Sequence, residues 1–294
     1  MARALGRGWT VVGSQRLGGG LIGATSRVDL STPRGDLQVV LKRSPAGSAW
    51  LQGEWDRLGF ARTLDIPTPE PLAIDTAGDW FGTPAYVMSC LPGSPSPGSI
   101  SAGDLASMVS RVLITLSSAD VRQASEVLPR PSAAEAEGFV EPARKEASRW
   151  GPVYRRAAEA VGSTLGSRED FDRVVVHGDF HPGNLLFDGG RLSGVVDWSS
   201  AMIGPRNFDL SYCRTEVALV GGVDAADLLR TTYERDLGVK AHDVALWDLV
   251  CALNARKWSH IWYRDYLERS DGVTLRHLRE RLLAFTKRAL AELG

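Results

Sequence analysis

The stretch HGDFHPGNLL, residues 177–186, places an aspartate and an asparagine in a short loop that leads directly into an apolar strand. A second acid, Asp197, follows the apolar run LSGVV further along the chain. A strand, a two-residue turn at Gly189 and Gly190, and a returning strand would bring Asn184 and Asp197 side by side. The sequence therefore predicts that oxygen ligands converge at the open end of this hairpin.

These residue types suit phosphoryl transfer. Mg²⁺ prefers carboxylate and amide oxygens and completes its octahedron with water and substrate phosphates, so Asn184 and Asp197 are candidate metal ligands. Asp179, upstream of that pair, is predicted to accept a proton from an attacking hydroxyl. His177 and His181 lie in a loop that contains glycine and proline, and no convincing third ligand accompanies them. The pattern therefore does not favour zinc.

Composition narrows the class of partner. The chain has 294 residues, 44% of them hydrophobic, which is enough for one large core or two modest ones. The 34 Lys and Arg residues are balanced by 35 Asp and Glu residues, so the net charge is close to zero. A chain with so little net charge does not attract nucleic acid or an anionic membrane, and neither is expected as a partner. The three cysteines lack a metal-binding or redox spacing. With no apolar targeting or membrane-spanning stretch either, we expect a cytoplasmic protein.

The N-terminal part of the chain has the pattern of an antiparallel sheet. Three strands are predicted in WTVVGSQRL, ATSRVDLS and DLQVVLKR. One helix is predicted in AWLQGEWDRLGFARTL, whose apolar residues recur at spacings of three and four, and the sheet resumes in PTPEPLAI and TPAYVMS. The run LPGSPSPGS, 91–99, continues neither a strand nor a helix. We therefore place the lobe boundary there, between 1–91 and 92–294.

Beyond that boundary the sequence predicts a mostly helical lobe. Three short strands, RVVV, NLLF and RLSGVV, interrupt it once. The helices are predicted at 101–119, 133–163, 207–220, 224–237, 241–268 and 273–293.

The loop and the hairpin together resemble a known family. HGD, four residues and Asn, followed by VVDW, is similar to the catalytic core of the aminoglycoside phosphotransferase family, small-molecule kinases that share the protein-kinase fold. The resemblance implies a two-lobed α+β fold, with a small antiparallel sheet and one main helix in a nucleotide-binding lobe and a larger helical catalytic lobe. It also implies transfer of the γ-phosphoryl group of ATP, or of GTP, to a small-molecule hydroxyl with Mg²⁺ as cofactor.

The resemblance also assigns roles. Asp179 would be the catalytic base, while Asn184 and Asp197 would bind magnesium. His177 would brace the loop, and in GPRNFDLSY the acid Asp209 would hold that loop through hydrogen bonds to its backbone. The segment between Asp197 and Asp209 is too short for a phosphorylatable activation segment, so a protein substrate is not expected.

The N-terminal lobe supplies the remaining parts of a kinase. Lys42 in VVLK matches the strand lysine that neutralises nucleotide phosphates. Glu54 on the following helix is its expected ion-pair partner, and Asp56 is the alternative. A flexible backbone that can approach phosphates is predicted between the first two strands, at Gly18, Gly19, Gly20 and Gly23.

The stretch YVMSCLPG, 86–93, resembles the hinge between kinase lobes. Met88 would be the gatekeeper, and backbone groups of Ser89 and Leu91 would face the adenine. Each of these features alone also fits ordinary structure, because glycines between strands are usually turns and charged residues usually face solvent. Their joint order along the chain favours the kinase.

Other functions remain open. A catalytically silent nucleotide-binding protein could use the same fold, but the base, the lysine and both metal ligands are all present. A serine hydrolase built on GVVDWSSA lacks the GxSxG elbow. The acceptor could be an antibiotic (an aminoglycoside, macrolide or peptide) or a metabolite (choline, homoserine or a sugar).

One helical segment bears on the acceptor. By the resemblance, LWDLVCALNARKWSHIWYRDYLER, 246–269, would help to line the acceptor pocket. Its acids Asp248, Asp265 and Glu268 are interleaved with four basic residues and with aromatic side chains. Mixed charges suit a polycation poorly, because each buried ammonium must be paired. We therefore expect weak activity on kanamycin-like compounds and a preference for acceptors of low positive charge, although the aromatic residues also suit an inter-helix core.

Overall fold

The computed structural model describes residues 8–17, 24–44, 47–167, 171–269 and 272–294. The chain divides into two compact units. The first comprises Met1–Ser96 together with Leu185–Ser200, and the second comprises Pro97–Asn184 together with Ala201–Gly294.

The first unit contains a five-stranded antiparallel sheet in the order β1-β2-β3-β5-β4. One face of the sheet carries a buried apolar cluster that includes Val28, Val39, Leu41 and Val87. Because side chains alternate along a strand, Lys42 points to the face opposite Leu41. The strands are β1 Thr10–Arg16, β2 Ala24–Thr32, β3 Gly35–Arg43, β4 Pro71–Asp75 and β5 Ala85–Ser89.

Helix α1, Ser48–Ala61, follows β3 and begins after Gly47, whose φ of 95° is readily adopted only by glycine. Leu51 and Leu58 are buried at helical spacing, as the sequence predicts. Glu54 lies on the same face and is only 4% exposed. A buried acid within an apolar stripe needs a partner, which makes this position a candidate for function.

A hairpin from the middle of the chain belongs to the first unit. Its strands are β7, Leu185–Asp188, and β8, Arg191–Val195. Gly189 and Gly190 between them have φ of 55° and 78°, as a two-residue turn of the mirror-image type requires. The predicted hairpin is therefore present.

Backbone hydrogen bonds attach this hairpin to the first unit. Phe187 and Ser94 exchange two of them, at 2.8 and 3.1 Å, and the Val195 N–H donates to the Pro67 carbonyl at 2.8 Å. The sequence placed the hairpin in 92–294 and ended the first lobe at Leu91; the structure extends the first unit to Ser96 and adds 185–200. Composition marks a linker, but it carries no information about hydrogen bonds between distant segments.

The second unit is mostly helical, as predicted, with a two-stranded antiparallel sheet of β6, Arg173–Val176, and β9, Met202–Pro205. The short strand β9 was not predicted, because MIGP lacks a periodic pattern. The helices are α2 Ala102–Ser117, α3 Val121–Ala124, α4 Ala133–Glu146, α5 Pro152–Gly166, α6 Phe208–Gly221, α7 Val223–Leu237, α8 Val244–Arg269 and α9 Leu275–Leu293.

The single helix predicted at 133–163 is wrong. It is broken by a 3₁₀ turn, Ala147–Trp150, and by Gly151, which has a φ of 107°. Pro152 then starts α5 at a position where its missing N–H costs nothing. The apolar periodicity on both sides of this break is similar, so the helical pattern alone suggests one continuous helix.

The helices pack around a core in which Trp247 lies between Phe171 and Phe208, at ring-centroid distances of 5.3 and 6.0 Å. Trp247 and Tyr263 of α8 are 4% and 5% exposed, so these two aromatics belong to the inter-helix core. Among the helices whose residues are described, none combines the length and the apolar character needed to cross a bilayer.

Candidate active site

In the first unit, Lys42 lies between two carboxylates. Its Nζ donates a hydrogen bond to Oδ1 of Asp197 at 3.0 Å and lies 3.3 Å from Oε2 of Glu54. Burial acts to lower the pKa of Lys42, but the negative charges of Asp197 and Glu54 outweigh it and raise the pKa above its usual value. The lysine is therefore held cationic.

The partner of Lys42 in α1 is Glu54. Its Oε1 accepts a hydrogen bond from the indole N–H of Trp50 at 2.9 Å, while Oε2 faces Lys42 as an ion pair without hydrogen-bond alignment. Asp56, the alternative from the sequence, is exposed and accepts a hydrogen bond from Gln52 at 2.8 Å. The structure therefore selects Glu54 between the two acids.

Asp197 follows β8 with a φ of 63°, in the left-handed region. Few residues other than glycine adopt this conformation, and aspartate is among those that tolerate it. The carboxylate is partly exposed and partly engaged with Lys42. A left-handed backbone at a carboxylate that a distant strand holds in place is typical of a functional position.

The predicted hinge residues lie at the end of β5. Met88 is buried, and the N–H of Ser89 donates to the carbonyl of Glu70 at 2.8 Å. The hydroxyl of Ser89 accepts a hydrogen bond from the Glu70 N–H at the same distance. Leu91 packs so closely on the hairpin that a Cβ added at Gly194 would come within 2.6 Å of it. Gly18, Gly19, Gly20 and Gly23 lie outside the described residues.

In the second unit, Asp209 in the first turn of α6 holds the loop that follows β6. Its carboxylate accepts hydrogen bonds from the N–H groups of His177, at 2.6 Å, and Gly178, at 2.9 Å. His177 is fully buried, and its Nδ1 accepts a bond from the Asp179 N–H at 3.3 Å. Gly178 has a φ of 80°, so this sharp turn requires glycine.

Asp179 and Asn184 are in contact across this loop. The Asn184 Nδ2 donates to the backbone carbonyl of Asp179 at 2.9 Å and to its Oδ2 at 3.2 Å. Because the amide nitrogen is engaged in this way, Oδ1 is the Asn184 atom with the chemistry of a magnesium ligand. Asp179 remains one third exposed, so a substrate can reach it.

Two further polar residues of α6 were not predicted from the sequence, Tyr212 and Glu216. They follow Asp209 at spacings of three and seven, which places all three on one helix face. Burial, and then the charge of Asp179, raise the pKa of Glu216 to about 8 and that of Tyr212 above its ordinary range. Burial likewise raises the pKa of Asp209 to about 7. The signal in the sequence that could have identified Tyr212 and Glu216 is their helical spacing from Asp209.

Asp248, which the sequence offered for the acceptor pocket, is buried and engaged. Arg214 approaches it through Nε and Nη2 at 3.0 to 3.2 Å, and Asp248 is 2% exposed. Asp265 and Glu268 have side chains outside the described part of the chain. Asp248 is therefore not a receptor for a substrate ammonium.

The structure thus assembles two groups of predicted residues. Lys42, Glu54 and Asp197 meet in the first unit, and the residues of the loop meet with Asp209 in the second. Asn184 and Asp197 belong to different units, so their pairing as metal ligands stays a prediction. Within the described residues no group of three or more His, Cys, Asp or Glu side chains has the arrangement of a metal site.

The chain is similar to known phosphotransferases. The sequence profile of the phosphotransferase enzyme family, APH, matches residues 14–253. Viomycin phosphotransferase of Streptomyces vinaceus is 31% identical over 189 residues, which are 59% of this chain and 65% of that protein. A homoserine kinase of Chelativorans sp. (strain BNC1) is 34% identical over 102 residues, 32% of each chain. The chain thus matches less than two thirds of the length of either relative.

The fold has a counterpart among solved structures. A thermostable mutant of the aminoglycoside phosphotransferase APH(4)-Ia, in a ternary complex with ADP and hygromycin B, is similar with a TM-score of 0.63. The similarity covers 95% of this chain and 94% of that chain at 14% identity. The predicted kinase-like α+β fold class is confirmed.

Proposed function

This chain belongs to the phosphotransferase enzyme family, and on that premise we propose that it transfers the γ-phosphoryl group of ATP, or of GTP, to a hydroxyl group of a small molecule. The observation that carries the proposal is the position of Lys42 between Glu54 and Asp197. A partly buried strand lysine held between a helix glutamate and a loop aspartate is the phosphate-binding arrangement of kinases.

In this proposal Asp179 is the catalytic base. The acceptor hydroxyl loses its proton to the Asp179 carboxylate as its oxygen forms a bond to the γ-phosphorus, and the bond from that phosphorus to the β–γ bridging oxygen breaks. The backbone hydrogen bonds from His177 and Gly178 to Asp209 support this assignment, because they fix the loop that carries the base.

The remaining residues bind the nucleotide. Lys42 would neutralise its phosphates, and Glu54 would orient Lys42. A magnesium ion held by Asn184 and Asp197 would stabilise the negative charge of the transferred group. Both residues offer the oxygen atoms that this cation prefers, and the Asp197 carboxylate is partly exposed. Backbone groups of Ser89 and Leu91 would face the purine ring of the nucleotide. The Ser89 N–H is not among these groups, because it donates a hydrogen bond to the Glu70 carbonyl.

We propose a hydroxylated antibiotic as the acceptor, in line with the similarity to viomycin phosphotransferase. A metabolic hydroxyl is the second candidate, because a homoserine kinase is also among the relatives. The proposed enzyme is cytoplasmic and acts on neither a protein nor a nucleic acid. Either class of acceptor is compatible with this proposal.

A panel assay tests the proposal. Hydroxylated antibiotics and metabolites, homoserine included, are incubated with the protein and Mg·ATP or Mg·GTP, and each product is examined for the added mass of one phosphate. Asp179→Asn should retain nucleotide binding and lose activity by about 10² or more. Asp188→Asn, at the exposed end of strand β7, is the matched control and should behave as wild type. Nucleotide binding without phosphorylation of any acceptor would favour the catalytically silent alternative.

A further inference from the structure

Tyr212 lies on the face of α6 that is turned toward the catalytic loop. It follows Asp209 by three residues, so the same turn of helix supplies the acid that holds the loop backbone and a phenol beside it. Its ring lies 6.1 Å from that of His181 and 6.0 Å from that of Phe208, measured between centroids. His181, against which the Tyr212 ring lies, has its Nε2 3.8 Å from Oδ2 of Asp179, so the phenol is a neighbour of this carboxylate. The charge of Asp179 and an interaction between the two side chains both act to raise the pKa of Tyr212.

We propose that Tyr212 is a positioning residue for the catalytic base, whose hydroxyl donates to the Asp179 carboxylate and fixes its rotation toward the acceptor hydroxyl. This inference rests on the proposed function, in which Asp179 accepts the proton. Asp179 is one third exposed, so its side chain has room to rotate unless it is anchored.

The surroundings of Asp179 explain why an anchor is needed. The Asn184 Nδ2 approaches Oδ2 at 3.2 Å, but Asn184 also has its proposed role at the metal. The Nε2 of His181 is 3.8 Å from the same oxygen, which is beyond hydrogen-bond distance. Unlike Asn184, Tyr212 has no second proposed role, so its hydroxyl can serve only to orient the Asp179 carboxylate.

The chemistry of Tyr212 suits this role. Burial and the neighbouring acids hold its pKa well above the ordinary value, so the phenol remains a donor across the physiological pH range. Glu216, one turn further along α6, has a pKa raised to about 8 and is uncharged at neutral pH. Glu216 therefore adds little negative charge beside Asp179 and Tyr212 at neutral pH.

The first experiment separates positioning from packing. Tyr212→Phe keeps the ring against His181 and Phe208 and removes only the hydroxyl. We expect kcat to fall about tenfold, with the KM values for nucleotide and acceptor within about twofold of wild type. The matched control is Tyr233→Phe in α7, which also removes a buried tyrosine hydroxyl and should leave kcat unchanged. A wild-type kcat in Tyr212→Phe would overturn the inference.

A double variant tests whether Tyr212 acts through the base. In the Asp179→Asn background, adding Tyr212→Phe should lower the residual rate no further. A further tenfold loss in that background would show an independent role and reject the inference. If Asp179→Asn itself keeps the wild-type rate, it is the proposed function that fails.

A spectroscopic measurement on the protein alone does not depend on an acceptor. With ¹³C at the tyrosine Cζ position, the Tyr212 resonance is identified by its absence in Tyr212→Phe. Asp179→Asn should shift this resonance and leave the Tyr233 resonance in place. An unshifted Tyr212 resonance would reject the contact, whatever the panel assay finds.

Discussion

Glu54 holds Lys42 from the helix while a tryptophan holds Glu54: Nζ of Lys42 lies 3.3 Å from one carboxylate oxygen, and the Trp50 indole N–H donates to the other at 2.9 Å. Because the acid is only 4% exposed, its charge acts on Lys42 with little screening by solvent. The orientation of Lys42, for which we propose phosphate binding, is therefore set in the protein without a ligand.

The first prediction concerns this ion pair. Glu54→Gln should raise the KM for nucleotide and lower kcat, for a loss in kcat/KM of about 10- to 100-fold, because Lys42 loses its orienting charge. Asp56→Asn, two residues away and exposed, removes the same charge from the same helix and should have little effect. Equal losses in both variants would contradict the selection of Glu54.

The second prediction concerns the proposed magnesium ligands. Asp197→Ala removes a charged ligand and Asn184→Ala a neutral one, so Asp197→Ala should weaken magnesium-dependent nucleotide binding more. Calorimetric titration of each variant with nucleotide, with and without Mg²⁺, measures the difference. Without Mg²⁺, Asp197→Ala should bind nucleotide no worse than wild type, because Lys42 has lost a competing carboxylate. Variants that both respond to Mg²⁺ as wild type does would refute the pairing.

The third prediction concerns Glu216 and pH. Its pKa is 4.5 in an ordinary environment and about 8 in the folded protein, where burial first and the charge of Asp179 second raise it. The folded protein therefore retains a proton that the unfolded chain releases, and this contribution to stability is present below pH 4.5 and lost as the pH rises toward 8. Glu216→Gln keeps the neutral form, so its melting temperature should exceed that of wild type by several degrees at pH 8 and match it at pH 4.5.

Glu234 provides the opposite case on the neighbouring helix α7. Burial acts to raise its pKa, but hydrogen bonds from Lys240 and Arg230 outweigh it and lower the pKa below 4.5. Its contribution to stability is present above pH 4.5 and lost as the pH falls through the lowered pKa. Glu234→Gln should therefore lose stability at pH 8, where Glu216→Gln gains it, and melting curves of the two variants that agree in sign would contradict the assignment.

The fourth prediction concerns the charge of the acceptor. Asp248 is buried and paired with Arg214, so this carboxylate cannot bind an ammonium group of a polycationic substrate. We expect kanamycin-like compounds to be phosphorylated with a kcat/KM below about 10⁴ M⁻¹s⁻¹, and less cationic acceptors to be preferred. Asp248→Asn should lower stability without changing the order of acceptors in the panel. A higher value on a polycationic aminoglycoside would reverse this expectation.

Several parts of the fold followed from the sequence because their cause is local. Strands β2 and β3, helix α1 and the hairpin at Gly189 and Gly190 were predicted from side-chain period and turn residues. The break at Gly151 was missed, since the helical pattern continues on both sides of it. Strand β9 was missed because a strand of four residues with a glycine and a proline gains its order from pairing with β6.

The sequence by itself determined which residues are available for chemistry: an acid and an amide fixed in one short loop, a lysine on a strand and an acid after a hairpin. Spacing along the chain sufficed for these, because each depends on neighbours within a few residues. Only the tertiary structure decided which acid pairs with Lys42, that the hairpin joins the first unit, and that Tyr212 and Glu216 lie near enough to Asp179 for its charge to raise their pKa values. Those choices depend on burial and on contacts between distant segments, where the desolvation of each charge and its nearest partner decide the outcome.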